Sequence, residues 1–176
     1  VSPDDSLILV ANGGLSQQIT AYANNNGFLK WTFGIQGGYA NGPDVYNDKF
    51  FFSHESSEIR GTFIAFQPDH SFWIGDPGNE RIQHFAADRT FINNIMSLPH
   101  SYSVEADRNN PKRIFNEYLE FAIDYSKPLS SANESWTLLK NWRYGVKKNY
   151  YIDFKTNIFR NIITLNNGRS YATLTD

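Results

Sequence analysis

Short apolar runs that end in turn-forming residues recur along this sequence. Leu7–Val10 leads into Asn12-Gly13-Gly14, and Phe72–Ile74 leads into Asp76-Pro77-Gly78-Asn79. Few windows carry apolar residues at helical spacing. Short apolar runs bounded by Gly, Asn, Asp and Pro are typical of β-strands joined by tight turns. The pattern therefore predicts an all-β chain built from antiparallel meanders.

The composition supports this prediction. Aromatic residues make up 16% of the 176 residues, with 14 Phe and 10 Tyr among them. Aromatic rings pack well on the pleated surface of a sheet. The apolar content of 40% is too high for an intrinsically disordered chain. Cysteine is absent, which excludes disulfides, thiol catalysis and cysteine-based zinc sites.

The charge balance argues against nucleic acid as a partner. Lys and Arg total 16 against 18 Asp and Glu, so the net charge is −2. A duplex-binding protein usually presents a basic stripe, whereas here only the pairs Lys112-Arg113 and Lys147-Lys148 occur, which we assign to solvated surface. No stretch reaches the roughly 20 apolar residues of a membrane span. We expect no nucleic-acid partner and no membrane span.

An internal repeat gives the meanders their period. Ser6–Gly14 and Gln18–Leu29 align with Ser71–Asn79 and Arg81–Ile92. Each copy contains a strand ending in Asn or Asp, a turn with glycine, an Ile-x-x-aromatic strand, a polar turn and a further apolar strand. Repetition of such a meander is the sequence mark of β-propeller blades.

The second copy, Gly61–Ile95, resembles an NHL repeat, a blade of one β-propeller family. The specific part of the resemblance is a run of six residues: Asp76, Gly78, Asn79, Arg81, Ile82 and Phe85. His70 departs from the family, which usually has glycine in this hairpin turn, and Ser6–Leu29 is a degraded copy. The resemblance implies that the six residues maintain the blade. Arg81 would then fork onto a carboxylate or backbone carbonyls and tie adjacent blades.

We expect residues 1–176 to form one β-propeller domain or fragment, an incomplete portion of a larger propeller. The approximate blades are 1–33, 50–96, 101–142 and 148–176, with an insertion at 34–60. The insertion contains a predicted strand at Phe50–Phe52 and is either functional or a further short strand pair. Beyond residue 97 the strands fit one blade or parts of two. Blades of this type use about 40–50 residues, so the remaining chain of a larger protein, a second fragment or a self-copy would complete the ring. The alternative is that the end segments pair and close a small four-bladed ring.

Candidate ligand-binding residues lie in the predicted loops. They are Tyr39, Asp44, Tyr46, Asp48, His54, Glu55 and His100. Aromatic faces beside carboxylates suit a sugar or a peptide, and loops on a rigid frame often carry function. None of the usual local metal, nucleophile or phosphate-loop motifs occurs. The sequence therefore names no metal site, catalytic residue or cofactor.

Two functions follow from this interpretation. The favoured one is a binding or scaffold propeller that recognises a protein, peptide or glycan through loops on one face. The alternative is a propeller enzyme of lyase or hydrolase type, with a metal or carboxylates at the central channel. We expect an extracellular or cell-surface location, with the cytoplasm as the alternative.

Overall fold

The computed structural model describes residues 1–52, 62–96, 104–107, 109–127, 135–142 and 158–175. The described part is all-β, which confirms the predicted fold class, and its only helices are two short 3-10 turns. The chain divides into two compact units. Unit 1 consists of Val1–Asn41 and Tyr46–Ser97, and unit 2 consists of Gly42–Val45 and Leu98–Asp176.

Unit 1 contains two antiparallel meanders, in which each strand pairs with the next along the chain. The first sheet has the order β1 (Leu7–Asn12), β2 (Gln18–Ala23) and β3 (Leu29–Phe33). The second sheet has the order β4 (Ile64–Phe66), β5 (Phe72–Asp76), β6 (Arg81–Phe85) and β7 (Phe91–Met96). A four-stranded antiparallel meander is the form of a propeller blade.

The two sheets of unit 1 share one aromatic core. Ile19 of β2, Phe72 and Ile74 of β5 and Phe85 of β6 are fully buried there, together with Phe50 and Phe52. The Phe33 ring stands edge-on to Phe85, with the ring centroids 5.0 Å apart. Because side chains alternate between the two faces of a strand, one face of each sheet is apolar and can be buried in this way.

The segment Phe50–Phe52 differs from its prediction. The three phenylalanines predict a short strand, yet the segment belongs to neither sheet of unit 1. All three side chains are nevertheless fully buried. The predicted insertion 34–60 is described as far as Phe52, and it contains a 3-10 turn at Gly38–Asn41.

Unit 2 contains one four-stranded meander and one hairpin. The sheet consists of β8 (Val104–Ala106), β9 (Arg113–Asn116), β10 (Leu119–Ile123) and β11 (Trp136–Asn141), and the hairpin of β12 (Ile158–Thr164) and β13 (Ser170–Thr175). Of the two arrangements that the sequence leaves open here, the four strands adopt the single sheet. Beside β11, the Asn141 N–H donates to the Pro43 carbonyl at 2.7 Å, and the Val45 N–H donates to the Leu139 carbonyl at 2.9 Å.

The turn before β5 contains His70, which has φ +68°, the left-handed conformation in which glycine is the usual residue. Asp69 stabilises this turn by accepting a hydrogen bond from the Ser71 N–H at 3.0 Å. Asp5, in the turn before β1, has φ +56°. The repeat therefore extends upstream to Pro3-Asp4-Asp5-Ser6, which matches Pro68-Asp69-His70-Ser71.

Candidate functional site

The motif that carries the resemblance forms around Asp76, a fully buried carboxylate at the end of β5. Its Oδ1 accepts the Phe51 N–H at 2.6 Å. Its Oδ2 accepts the Asn79 side-chain amide at 2.9 Å and the Arg81 Nε–H at 2.8 Å. A buried charge is stable only when it is paired and hydrogen-bonded. Asp76 meets both requirements with groups of this chain.

Arg81 extends this arrangement from β6 to the connecting segment before Phe50. It lies directly opposite Asp76 in the strand register. Its Nη2 donates to the carbonyl of Tyr46 at 2.8 Å and to that of Lys49 at 3.3 Å. Gln83, on the same face of β6, donates to the Asn47 carbonyl at 3.0 Å. We call Asp76, Asn79, Arg81 and Gln83 the Asp76 clamp.

Gln17, which the sequence interpretation missed, holds the same segment from the first sheet. Its Oε1 accepts the Phe52 N–H at 2.7 Å, and its Nε2 donates to the carbonyls of Gly13 and Gly14 at 2.6 and 2.9 Å. The phenylalanine segment therefore has side-chain partners in both sheets. These hydrogen bonds replace the strand ladder that the segment lacks.

Gly78 serves close packing rather than turn geometry. A Cβ placed on Gly78 would lie 2.2 Å from Cγ of Phe51, so no larger residue fits against that ring. Tyr39 also stacks on the Phe51 ring, at a centroid distance of 3.8 Å. The left-handed residue of this turn is Glu80, with φ +53°. Glycine is thus required at position 78 by its neighbour and not by its backbone angle.

The remaining motif residues and the loop candidates occupy different environments. Phe85 is buried in the core, and Ile82 is half-buried on the opposite face of β6. Tyr46 and Asp48 of unit 1 are exposed. Asp44 belongs to unit 2, where its carboxylate lies 3.9 Å from the Lys140 ammonium. The candidates His54, Glu55 and His100 lie outside the described residues.

Unit 2 contains a second buried acid–arginine cluster that the sequence interpretation did not identify. Arg113 donates through Nε to Glu120 Oε1 at 2.6 Å, and Trp142 Nε1 donates to Glu120 Oε2 at 2.9 Å. The Nη1 of Arg113 reaches the hydroxyls of Thr164 and Ser170 at 3.0 and 2.5 Å. The assignment of Arg113 to solvated surface is therefore wrong, because the side chain is held by a buried carboxylate and by hydroxyls of the β12–β13 hairpin.

Asp107 completes this cluster, which we call the Glu120 clamp: Asp107, Arg113, Glu120 and Trp142. Asp107 accepts the Thr164 hydroxyl and, at 3.1 Å, the Thr164 N–H. Burial raises the pKa of the Asp107 carboxyl. Hydrogen bonds from Thr164 and the Asn109 N–H, together with the charge of Arg113, lower this pKa by more than burial raises it. The pKa therefore lies below its usual range, and the carboxylate form is the one that binds the hairpin.

In the part of the chain that the structure describes, no three His, Cys, Asp or Glu side chains come together to hold a metal ion. The same part contains no helix of the length and hydropathy needed to cross a membrane. No protein-family model matches the chain, and no curated protein is detectably similar to it. A function for this chain is therefore argued from its own residues. These are the two buried clamps and the loop around Tyr46, whose backbone the Asp76 clamp binds.

Proposed function

We propose that this protein is a binding or scaffold module made of β-propeller blades of the NHL-repeat kind. Its ligand is a protein, peptide or glycan that the loops on one face recognise. The observation that carries the proposal is the contrast within Tyr46. The side chain is 53% exposed, whereas the backbone carbonyl of the same residue accepts a hydrogen bond from the buried Arg81.

The backbone around Tyr46 is fixed at several successive points. Arg81 binds the carbonyls of Tyr46 and Lys49, and Gln83 binds the carbonyl of Asn47 between them. A loop that is already ordered loses little conformational entropy when a ligand binds. An exposed aromatic side chain on such a loop is a preorganised contact, which is the usual form of a recognition residue on a rigid scaffold.

The chemistry around the Tyr46 ring favours a peptide or a glycan. The Asp48 side chain is exposed in the same loop, whereas Lys49, whose ammonium lies 5.9 Å from the ring centroid, is buried. A tyrosine ring offers an apolar face for C–H groups and a hydroxyl for hydrogen bonds. The exposed Asp48 carboxylate supplies a polar contact that fixes a ligand's orientation.

The test is to measure binding of the purified protein to an immobilised glycan array and an immobilised peptide array. Tyr46→Ala should weaken every specific interaction by about tenfold or more, as expected for an aromatic hot spot, and leave the melting temperature unchanged. Phe28→Ala is the matched control, because Phe28 is 70% exposed and lies outside the Asp76 clamp. Equal losses in both variants, or no specific interaction on either array, would contradict the proposal.

A further inference from the structure

All four backbone carbonyls of residues 46–49 are bound from within unit 1. Three of them accept hydrogen bonds from the side chains of β6: the carbonyls of Tyr46, Asn47 and Lys49. The fourth, the Asp48 carbonyl, accepts the Ile35 N–H at 2.7 Å. The donors Arg81 and Gln83 are buried, so the carbonyls that they bind face the interior of the unit.

The N–H groups of Asn47 and Asp48 face the opposite side of the loop. In a trans peptide, the carbonyl of one residue and the N–H of the next point in opposite directions. Because the Tyr46 and Asn47 carbonyls face the buried side chains of β6, the N–H groups that follow them face solvent. Neither N–H group has an acceptor in the part of the chain that the structure describes. The loop thus presents two successive backbone donors to a ligand.

The side chains of this loop add an aromatic ring and a carboxylate on the exposed side. The Lys49 N–H donates to the Tyr46 carbonyl at 3.3 Å, which closes a four-residue turn. Tyr46, Asn47 and Asp48 are all exposed on this turn. Among the described residues, none donates a hydrogen bond to the Asp48 carboxylate. Three consecutive residues therefore offer an apolar ring face, hydrogen-bond donors and a charged acceptor.

This combination suits a hydroxyl group better than it suits the backbone of a peptide. A hydroxyl donates one hydrogen bond and accepts others, so one hydroxyl can donate to the Asp48 carboxylate and accept from a backbone N–H. A peptide that binds as an added strand needs N–H and C=O groups in alternation. In this loop every carbonyl of residues 46–49 already has a donor, so the acceptors for such a strand are taken.

We propose that the loop at residues 46–49 recognises an uncharged sugar. A pyranose has an apolar C–H face, which packs on the Tyr46 ring, and a rim of hydroxyls, which bind the Asp48 carboxylate and the two N–H groups. Acidic sugars are disfavoured because the exposed carboxylate repels them. This inference rests on the proposed function, in which Tyr46 is the recognition residue, and it selects the glycan from the three ligand classes.

The experiment titrates the isotope-labelled protein with the methyl glycosides of glucose, galactose, mannose and N-acetylglucosamine, one at a time. At least one glycoside should shift the amide resonances of Asn47 and Asp48 in a saturable manner, because each N–H gains an acceptor. Asp48→Asn should weaken this binding by about fivefold or more, since a hydrogen bond to a charged group is replaced by one to a neutral group.

Asp5→Asn is the matched control, because it removes the same charge from another exposed turn of unit 1 and should leave the affinity unchanged. The inference is overturned if Tyr46-dependent binding is found only on the peptide array, a result that leaves the proposed function standing. It is also overturned if a glycoside binds the Asp48→Asn protein as tightly as the original. Failure of every glycan and peptide probe would overturn the inference and the proposed function together.

Discussion

Arg81 in unit 1 and Arg113 in unit 2 each join a buried carboxylate to a neighbouring segment of chain, but they reach different acceptors. Arg81 donates to backbone carbonyls, and its side chain is 3% exposed. Arg113 donates to the hydroxyls of Thr164 and Ser170, and its side chain is 15% exposed. The first contact is independent of which side chains the bound segment carries, whereas the second depends on two particular residues.

This difference predicts a ranking of mutational effects, and Arg81→Ala should have the largest. The substitution leaves the Asp76 carboxylate buried without its cation, which costs about 3–5 kcal/mol of unfolding free energy. Chemical denaturation of the two proteins measures the loss. An unchanged stability together with lost ligand binding would show instead that Arg81 is a recognition residue.

Arg113→Ala should destabilise the protein by less, about 1.5–3 kcal/mol, the range for hydrogen bonds to a charged group. Glu120 keeps its hydrogen bond from Trp142, and Asp107 keeps those from Thr164. The space left by the Arg113 side chain, which is 15% exposed, admits water to both carboxylates. The same denaturation experiment gives the comparison. If Arg113→Ala costs as much as Arg81→Ala, the nature of the acceptor does not determine the strength of the clamp.

Thr164→Val should separate the hairpin from the Glu120 clamp without disturbing the carboxylate–arginine pair. The variant keeps the shape of the side chain and removes a hydroxyl that contacts Asp107, Arg113 and Ser170. The expected loss is about 1.5 kcal/mol, the low end of the range for hydrogen bonds to charged groups, seen as faster amide exchange in β12 and β13. Thr137→Val, at an exposed position of β11, is the control and should change neither stability nor exchange.

The smallest effect should be a pH dependence that Asp107 confers on unit 2. The pKa of Asp107 is lower in the folded protein than in the unfolded chain. Its contribution to stability is therefore complete above the unfolded pKa of about 3.9 and is lost as the pH falls through the lower folded value. Asp107→Asn should flatten the acid limb of a stability profile measured between neutral pH and pH 2. If the Asp107→Asn protein keeps the slope of the original stability profile at low pH, another group is responsible for the pH dependence.

Local patterns in the sequence predicted most of the strands and three of the four residues of the Asp76 clamp, all except Gln83. Asp76, Asn79 and Arg81 lie within six residues of one another, so a turn and one strand pairing bring them together. In the Glu120 clamp Arg113 and Glu120 are only seven residues apart, but the contact of Asp107 with Thr164 of the hairpin spans 57 residues and depends on tertiary packing.

The error at Phe50–Phe52 has a related cause. Three adjacent phenylalanines fit the pattern of a strand, but in a strand of a two-faced sheet alternate side chains would point away from the core. If all three side chains are buried, the backbone N–H groups need acceptors outside a strand ladder. The side chains of Asp76 and Gln17 accept the N–H groups of Phe51 and Phe52. The sequence around the phenylalanines does not indicate that side chains as distant as Asp76 and Gln17 accept their N–H groups.

The position of Phe50–Phe52 between its two partners has a consequence for how unit 1 folds. The Phe51 N–H finds its acceptor 25 residues later, and the Phe52 N–H finds its acceptor 35 residues earlier. In many repeat proteins each repeat folds against its neighbour and can unravel from one end. Here the core of each meander includes Phe50–Phe52. It is complete only when this segment has bound both Gln17 and Asp76, which closes one long loop on each side. Both should therefore form in one cooperative step, late in folding and at the cost of two loop closures.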